Sequence, residues 1–277
     1  MTDDHSAEIS TEDLSYTYDT GRQPALTEVS LQFERGKMYA LLGRNGSGKS
    51  TLARCLNGLL VPSSGRVLSC GLDTADPLNA LAIAGKVAMV FQNPDTQMVG
   101  ATVEEEVAFG PENLGLEPSE ILRRVDRALD LAGITGLALR QPLRLSQGQK
   151  QLVAIAGAIA MEPDFLVSDE STSMLDYTAR LRVLDLFERL RRGGMGIVHV
   201  THFLEEATLA DKVVVLDAGR VEAAGTPAET LGDPGRVRAL GLDPLAVRVV
   251  AYELGRLGHA VPDDVLSVKE LMSWLYA

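Results

Sequence analysis

The sequence is poor in cysteine, in positive charge and in long apolar stretches. Cys55 and Cys70 are its only cysteines, so neither a disulfide framework nor a cysteine-rich metal site is expected. Its 38 acidic residues outnumber its 26 lysines and arginines, which gives a net charge of −12. This balance argues against a protein that grips nucleic-acid phosphates with a basic face. We therefore expect no nucleic-acid partner.

Long apolar runs are also missing. The longest, from Leu152 to Met161, is too short to cross a membrane and is typical of a buried helix. The first residues are acidic and polar, unlike a secretory signal peptide. We expect a soluble intracellular protein, in which any membrane role depends on a partner. The 277 residues suffice for one large domain, alone or with appendages.

A phosphate-binding motif stands out from this background. Residues 43–50 read Gly-Arg-Asn-Gly-Ser-Gly-Lys-Ser and fit the pattern Gly-x-x-x-x-Gly-Lys-[Ser/Thr] at every fixed position. The motif follows an apolar run at 38–42, predicted to be a buried strand, and opens a predicted helix at 49–56. Backbone N–H groups and the helix N-terminus would then surround phosphate oxygens. The expected phosphate-binding residues are Asn45, Gly46, Ser47, Gly48, Lys49, Ser50 and Thr51.

The motif assigns two specific roles. Lys49 is expected to reach the β- and γ-phosphates of a nucleoside triphosphate, and the Ser50 hydroxyl to bind Mg²⁺. A phosphate loop by itself does not say what the energy is used for. The rest of the chain has to supply that information.

Polar residues follow three other predicted buried strands. Gln92 comes after the strand at 86–91, where its amide could touch Mg²⁺ or the attacking water. Asp169 and Glu170 end the strand that begins at Phe165. Asp169 is expected near the metal, and Glu170, on the opposite side of the strand, suits a general base. His202 follows the strand at 196–201 and is expected to be functional, whereas His199 inside that strand is expected to be a core residue.

The remaining pattern predicts an α/β fold. Residues 9–33 alternate like an antiparallel hairpin, with a turn at 19–24. The stretch from 95 to 156 is helical, and we predict helices at 103–109, at 118–132 and at 150–161. Ser119 is a candidate N-cap of the second helix, whose expected apolar face is Ile121, Leu122, Val125, Leu129 and Ala132. The predicted tail helices at 245–257 and 268–275 are either a packing appendage or a dimer contact.

Tyr18 has two interpretations. It could stack on an adenine ring, or it could be a strand aromatic packed in the sheet. Spacing alone favours the packed aromatic.

Taken together, these motifs resemble those of the ATP-binding-cassette ATPases. The matching segments are residues 43–51 (Walker A), Gln92 (Q-loop), residues 145–149 (signature), Asp169-Glu170 (Walker B), residues 173–176 (D-loop) and His202 (switch histidine). The resemblance implies that Ser146, Gly148 and Gln149 bind the nucleotide held by another subunit. It also implies that Tyr18 is the aromatic that stacks on adenine.

A finer resemblance covers nearly the whole chain. Residues 90–115, the segment 170–176 and the tail segments 242–245 and 261–266 are similar to the ATPase subunits of energy-coupling-factor transporters and their cobalt and nickel relatives. This implies an ATP- and Mg²⁺-dependent ATPase that powers import of a vitamin or a transition-metal cation. The implied partners are a second ATPase subunit, a transmembrane coupling protein and a substrate-capturing membrane protein. The implied location is the cytoplasmic face of the cell membrane, as a peripheral subunit.

The resemblance also refines the predicted architecture. We expect a P-loop NTPase core with a mixed sheet and an antiparallel β subdomain (residues 1–94 and 157–228), an inserted helical lobe (95–156) and a small C-terminal helical extension (229–277) that helps to hold an ATPase dimer.

Two residues depart from the family pattern. Gln147 stands in the signature where the family usually has Gly, and Leu152 stands where Arg is common. One of two composite sites could therefore be weaker, and a regulatory subunit that binds ATP without hydrolysing it is one alternative. A soluble, non-transport cassette ATPase acting on DNA or ribosomes is a second, and a kinase-like phosphotransferase is a third. Neither the transported compound nor the choice between two copies and two different ATPases follows from the sequence.

Overall fold

The structure, a computed structural model, describes residues 8–19 and 23–276. Within these ranges the strands are β1 (Glu8–Tyr16), β2 (Leu26–Glu34), β3 (Met38–Gly43), β4 (Ser64–Ser69), β5 (Leu72–Asp73), β6 (Val87–Val90), β7 (Phe165–Asp169), β8 (Gly196–Val200), β9 (Lys212–Asp217) and β10 (Arg220–Gly225). The helices are α1 (Lys49–Leu56), α2 (Ala80–Lys86), α3 (Val103–Asn113), α4 (Pro118–Ala132), α5 (Gln147–Ala160), α6 (Tyr177–Arg192), α7 (Leu204–Ala207), α8 (Pro227–Leu231), α9 (Pro234–Ala239), α10 (Ala246–Arg256) and α11 (Val268–Leu275). The acidic start and part of the predicted turn at 19–24 lie outside the described residues.

The central sheet gathers the strands that precede the predicted site residues. Its order is β10-β9-β3-β8-β7-β6, and the pairs from β9 to β6 are all parallel. Because the carboxyl ends of parallel strands meet at one edge, the segments after β3, β6, β7 and β8 converge there. This edge is where a ligand site is expected in such a sheet.

Both faces of the central sheet are buried. In β3, Met38, Ala40 and Leu42 point to one hydrophobic cluster, while Tyr39 and Leu41 point to another. This alternation follows from the two-residue period of a strand. The first cluster continues into α3 to α6, and the second into α1 and the antiparallel sheet. Two covered faces explain why these strands read as continuous apolar runs.

The second sheet has the order β2-β1-β4-β5 and is antiparallel. The predicted hairpin at 9–33 is present as β1 and β2, with register shifts after Thr11 and after Leu14. Its inward residues include Ile9, Leu14 and Phe33, which are buried against the second cluster.

The helices α3, α4 and α5 pack together as a lobe inserted between β6 and β7. Four details of the sequence prediction are wrong here. Helix α5 begins at Gln147, three residues before the predicted start at Lys150, and ends at Ala160. The N-cap of α4 is Glu117, with Pro118 at the first turn, so Ser119 lies inside the helix. Leu122 is 66% exposed and does not belong to the buried face. Helix α3 continues past the predicted end at Phe109 to Asn113, with the buried Pro111 inside its last turn.

The C-terminal extension contains two predicted helices and two that the sequence did not suggest. Helix α11 has the predicted bounds, and α10 lies within the predicted 245–257. The short helices α8 and α9 precede them, each with proline at its first position. The buried Arg248 side chain joins these parts: it donates to the carbonyls of Gly232 and Pro262, both at 2.6 Å, and pairs with Asp263.

The predicted fold class is confirmed: an α/β core with a mixed sheet, an antiparallel β unit, an inserted helical lobe and a C-terminal helical extension. Within residues 8–19 and 23–276, no helix is long and apolar enough to cross a membrane.

Candidate functional site

The phosphate-binding motif forms the turn between β3 and α1. Gly48 has φ +103°, and a Cβ at this position would lie 2.5 Å from the carbonyl oxygen of Ala25. Glycine is therefore required both by the backbone and by the close approach of a neighbouring chain segment. The Ser47 hydroxyl is buried, and no hydrogen-bond partner for it is found among the described residues. A buried donor at the mouth of the loop fits a ligand that brings acceptor oxygens.

Lys49 reaches back over this loop. Its Nζ donates to the carbonyls of Gly43 at 2.9 Å and Arg44 at 3.1 Å, and the residue is 4% exposed. Burial lowers the pKa of Lys49, although the carboxylates of Glu170 and Asp169 oppose that shift. The ammonium group is thus held at the loop, with little water to compete for it.

Ser50 and Asp169 meet at the carboxyl edge of the sheet. Ser50 Oγ donates to Asp169 Oδ1 at 2.8 Å. Burial raises the pKa of Asp169, while the hydrogen bond from Ser50 lowers it in part. A hydroxyl and a carboxylate together supply the hard oxygen ligands that Mg²⁺ prefers beside a nucleotide. The donor set therefore fits Mg²⁺.

Glu170 and His202 are in direct contact, as their positions after neighbouring parallel strands allow. His202 Nε2 lies 2.8 Å from Glu170 Oε1. Glu170 has φ +54°, the left-handed region, which costs a non-glycine residue about 1–3 kcal/mol. Its N–H donates to the carbonyl of Val200, so the strained residue is tied to the strand that leads to His202.

Gln92 lies on the same edge, two residues beyond β6. Its Nε2 donates to Ser173 Oγ at 3.1 Å, and that hydroxyl donates to the carbonyl of Glu170 at 2.8 Å. Ser173 thereby connects Gln92 to the Glu170 turn. Residue-by-residue reasoning did not select Ser173 as a site residue; its place in the D-loop pattern was the available signal.

Tyr18 lies at the far side of the loop. Its hydroxyl is 3.1 Å from Thr51 Oγ1, and its ring meets the edge of Tyr16 at a centroid distance of 4.9 Å. Tyr18 is 38% exposed, so part of the residue is accessible from the cleft that it lines. Tyr18 lies two residues beyond the end of β1, so it is not a strand residue, although its ring packs against Tyr16.

A cleft of about 560 Å³ joins these residues. Its lining includes Tyr18, Asn45, Gly46, Gly48, Lys49, Ser50, Thr51, Gln92, Glu170, Ser173 and His202. The signature residues Ser146, Gly148 and Gln149 are not among the residues that line it. A larger open depression, about 930 Å³ beside Lys212, has none of this chemistry. The loop, an open aromatic and a carboxylate–histidine pair in one cleft can bind and hydrolyse a nucleoside triphosphate.

A family model described as "ABC transporter" matches residues 26–173. The chain belongs to the ABC transporter family. It is 50% identical to the energy-coupling factor transporter ATP-binding protein EcfA1 of Symbiobacterium thermophilum, over 96% of each chain. It is 48% identical to EcfA of Methanosarcina acetivorans, over 92% of each.

Solved structures agree with this assignment. CbiO1 from Clostridium perfringens, described as part of the ABC transporter complex cbiONQ, has a TM-score of 0.76 and 36% identity, and the match covers 91% of this chain and 97% of that one. A dimeric post-hydrolysis structure of the cassette MJ0796 with ADP and Pi has a TM-score of 0.72 and 28% identity over 79% and 98%. The chain is an ABC-type ATPase, and the resemblance inferred from its motifs is confirmed.

The signature segment of this ABC ATPase begins α5. Ser146 is the N-cap: it accepts from the N–H of Gln149, whose side chain accepts from the N–H of Ser146 in return. Gly148 faces α6, and a Cβ there would lie 2.6 Å from that of Ala179. Helix packing therefore accounts for the glycine at this position.

The two departures from the family pattern have structural explanations. Gln147 is the first residue of α5, and its Nε2 donates to Asp95 Oδ2 at 2.9 Å. Lys150 pairs with the other oxygen of Asp95 at 2.5 Å. Hydrogen bonds from Lys150 and Gln147 lower the pKa of Asp95. Leu152 is 7% exposed and belongs to the core of the lobe, where an arginine would need a partner.

The C-terminal extension of this ABC ATPase reaches the phosphate loop. The turn at Gly241 lies against Arg44, and a Cβ on Gly241 would be 2.8 Å from Arg44 Cδ. Residues 241–244 line a depression with Asn45 and His202. The extension thus touches the outer side of the nucleotide site.

Proposed function

We propose that this ABC ATPase is the ATP-binding and ATP-hydrolysing subunit of an energy-coupling-factor importer that carries a vitamin or a transition-metal cation. The observation that carries the ATPase mechanism is the shared cleft, which is lined by Lys49, Ser50 and the Glu170–His202 pair. Asp169 is hydrogen-bonded to Ser50 at this cleft. Relatives named as energy-coupling factor transporter ATP-binding proteins, at 40–50% identity over nearly the whole chain, support the type of transporter.

Each residue of the cleft takes one part of the reaction. The phosphate loop and the start of α1 bind the phosphates through Asn45, Gly46, Ser47, Gly48 and Thr51. Lys49 offers its ammonium group to the β- and γ-phosphates. Tyr18 stacks on the adenine. Ser50, Asp169 and Gln92 would hold Mg²⁺, which when bound neutralises charge on the phosphates.

Glu170 and His202 act on the attacking water and the γ-phosphate. The Glu170 carboxylate accepts the hydrogen bond of the water and takes its proton as the water oxygen bonds to the γ-phosphorus. The bond from that phosphorus to the β–γ bridging oxygen breaks, and ADP and phosphate are released. His202 holds the Glu170 side chain at 2.8 Å and contacts the γ-phosphate. The pair therefore fixes both the nucleophile and the group that it attacks.

The site is completed by a second ATPase subunit, either a copy of this chain or a homologue. Ser146, Gly148 and Gln149 lie outside the cleft of their own chain, which supports a role at the nucleotide of the partner. The dimeric cassette MJ0796 is similar in fold. Nucleotide joins the two subunits head to tail, and its hydrolysis releases them.

We also propose that residues 1–94 and 157–228 form the nucleotide-binding unit, 95–156 the lobe, and 229–277 a dimer contact. The exposed Leu257, Val268, Leu275 and Tyr276 support the last assignment. The movement of the two ATPase subunits as they join and separate passes through the Gln92–Glu106 segment to a transmembrane coupling protein. That protein works with a substrate-capturing membrane protein. The chain then lies peripherally on the cytoplasmic face of the cell membrane.

Purification of the full-length chain from solubilised native membranes tests this assignment. We expect a second ATPase, an integral coupling protein and a small membrane protein that binds the transported compound. A Glu170→Gln chain should retain the same partners. Recovery of nucleic acid or ribosomes without membrane proteins would refute transport and favour a soluble cassette ATPase.

A further inference from the structure

A buried carboxylate lies behind the Glu170–His202 pair. Glu206, on α7, has a side chain that is 2% exposed. Its Oε2 accepts hydrogen bonds from Thr172 Oγ1 at 3.0 Å and from Thr201 Oγ1, and lies 2.8 Å from His199 Nε2. A buried charge costs free energy unless donors surround it. Core packing alone gives no reason for an acid at this position.

The donors to Glu206 come from the two segments that carry the reactive pair. Thr172 is two residues after Glu170, and Thr201 directly precedes His202. The N–H of Phe203 donates to Thr201 Oγ1 at 3.1 Å, so the backbone on both sides of His202 is connected to the same hydroxyl. Glu206 Oε2 therefore joins the two segments at one atom.

His199 extends this link to the metal-binding strand. Its Nδ1 lies 3.0 Å from Ser168 Oγ, and Ser168 directly precedes Asp169. Ser168 Oγ is also 2.6 Å from Ser171 Oγ. His199 therefore contacts Glu206 through one ring nitrogen and Ser168 through the other. The buried histidine thus orients the end of β7 as well.

Glu206 is held in its ionised form. Burial raises the pKa of Glu206, but the hydrogen bonds from His199, Thr201 and Thr172 lower it by more than burial raises it. The net pKa is therefore below the usual value. Arg180 supplies a positive charge nearby, with Nε 3.5 Å from Glu206 Oε1. The Arg180 guanidinium also lies 3.6 Å from the ring centroid of Phe203. A cation and three donors therefore stabilise the charge.

The backbone of Glu170 needs such support. Its left-handed conformation is unfavourable for a residue with a Cβ and persists only where the surroundings enforce it. The hydrogen bond from its N–H to Val200 provides one connection between the two segments. The connection through Thr172, Glu206 and Thr201 provides another, on the buried side.

We propose that Glu206 is a positioning residue for ATP hydrolysis: it ties the Glu170 turn to the His202 turn and so sets the contact between them. The proposal rests on the roles proposed above for Glu170 and His202. Glu206 is not among the residues that line the nucleotide cleft and acts through these neighbours.

The test is steady-state ATP hydrolysis by the full-length chain and by Glu206→Gln and Glu206→Ala. We expect Glu206→Ala to lower kcat by about 10- to 100-fold, the loss typical of a misplaced reactive group. The KM for ATP should change by less than about threefold, because Lys49 and Tyr18 are not moved. Glu206→Gln should lose less, since its amide oxygen still accepts from Thr172 and Thr201.

Matched variants keep the test decisive if Glu206→Ala does not fold. Thr172→Val and Thr201→Val each remove one arm of the link and should each lower kcat several-fold, with the double variant losing less than the product. Thr11→Val is the control: its buried hydroxyl bonds the backbone of Val29 and Leu31 in the other sheet, both at 2.9 Å. It should lower the melting temperature without changing kcat.

Unchanged kcat in Glu206→Gln, Thr172→Val and Thr201→Val, with a fall in melting temperature like that of Thr11→Val, would overturn the proposal. Glu170→Gln in the same assay distinguishes a failure of the proposed function from a failure of the positioning role of Glu206. If Glu170→Gln keeps its turnover, the proposed function fails. If it loses turnover while the Glu206 variants keep theirs, only the positioning role fails.

Discussion

At the scale of single residues, the proposed hydrolysis depends on the contact between Glu170 and His202. The two side chains meet at 2.8 Å although they are 32 positions apart along the chain, because β7 and β8 are parallel neighbours. Neither residue lies in the phosphate loop, so we expect ATP binding to depend mainly on other side chains than hydrolysis does. They should therefore be separable by substitution.

The first prediction concerns Glu170. Glu170→Gln should bind ATP with nearly unchanged affinity and lose about 10²- to 10⁴-fold in kcat, because an amide cannot accept the proton of water. Binding of a labelled nucleotide and release of phosphate measure the two effects. Glu12→Gln, an exposed substitution in β1, is the control and should leave both unchanged. Near wild-type hydrolysis by Glu170→Gln would remove Glu170 from the reaction.

The second prediction concerns the charge of Lys49. Burial lowers the pKa of Lys49, so the side chain loses its proton at lower pH than an ordinary lysine, whose pKa is about 10.4. Affinity for ATP should be full below this lowered pKa and fall as the pH rises through it. Lys49→Ala should bind ATP weakly and show no such step. A wild-type affinity that stays flat up to the ordinary lysine range would contradict the prediction.

At the scale of elements, the Gln92–Glu106 segment and helix α5 are joined on the surface of the lobe. The Asp95 carboxylate accepts a hydrogen bond from the Gln147 side chain and forms an ion pair with Lys150. These are the first and fourth residues of α5. The side chain of Gln147 is turned towards Asp95, so its own N–H remains at the helix N-terminus. The departure from glycine adds a contact without removing a backbone donor.

The third prediction follows from this geometry. Gln147→Gly should change kcat by less than about fivefold, because it removes one hydrogen bond at a partly exposed position. Asp95→Asn is the matched variant, since it weakens the pairing with Lys150 but keeps the signature sequence. Phosphate release by each full-length variant measures the effect. A large gain in kcat for Gln147→Gly would show that Gln147 impairs the site.

The fourth prediction concerns the C-terminal extension. Arg248→Met should destabilise it by about 1–3 kcal/mol, because the carbonyls of Gly232 and Pro262 lose a buried charged donor. Hydrogen exchange in α11 should accelerate while β3 and β7 keep their protection. Arg256→Met, which removes an exposed pair with Glu253, is the control. Equal protection of α11 in both variants would contradict the role of Arg248.

The helices and strands show which features of the fold can be predicted from the sequence. Strands buried on both faces and the helix after the phosphate loop were predicted nearly residue by residue, because long apolar runs and a fixed motif determine them. The bounds of α4 were predicted correctly, but its N-cap was not: Ser119 was the candidate and Glu117 holds that position, since Pro118 and Ser119 both carry helix-start signals. Leu122 was misplaced because the boundary of an amphipathic face depends on its neighbours in space.

The candidate site divides in the same way. Residues within one motif, or at the end of a strand, were selected from local pattern. Most of the phosphate loop lines one cleft with Gln92, Glu170 and His202, whereas the signature residues lie outside it. The network around Glu206 was not found, although His199 was correctly expected to be buried. Its members come from β7, the turn after it, β8 and α7, and no sequence period relates them.

At the scale of the whole molecule, the proposed dimer requires each chain to supply two different halves of a nucleotide site. The phosphate loop is at the carboxyl edge of the sheet, and Ser146 is at the N-terminus of α5 on the lobe. A chain that lacks one half can still lend the other to its partner. This property leads to the fifth prediction.

Lys49→Ala and Ser146→Ala chains should each hydrolyse ATP poorly alone. An equal mixture should recover about a quarter of wild-type activity, because half of the dimers are mixed and each has one intact site of two. Mixing either variant with a chain that carries both substitutions is the control and should recover nothing. Failure of the first mixture to recover activity would argue against shared sites.

The turn at Gly241 has a practical consequence for work with shortened chains. A chain that ends near residue 228 would keep every motif of the nucleotide site and would be a natural choice for crystallisation or for a minimal engineered motor. It would also lose the segment that lies against the Arg44 side chain at the edge of the phosphate loop. Rate constants from such a chain would describe a phosphate loop that lacks its contact with the C-terminal extension. The intact chain is therefore the proper reference for any engineered derivative.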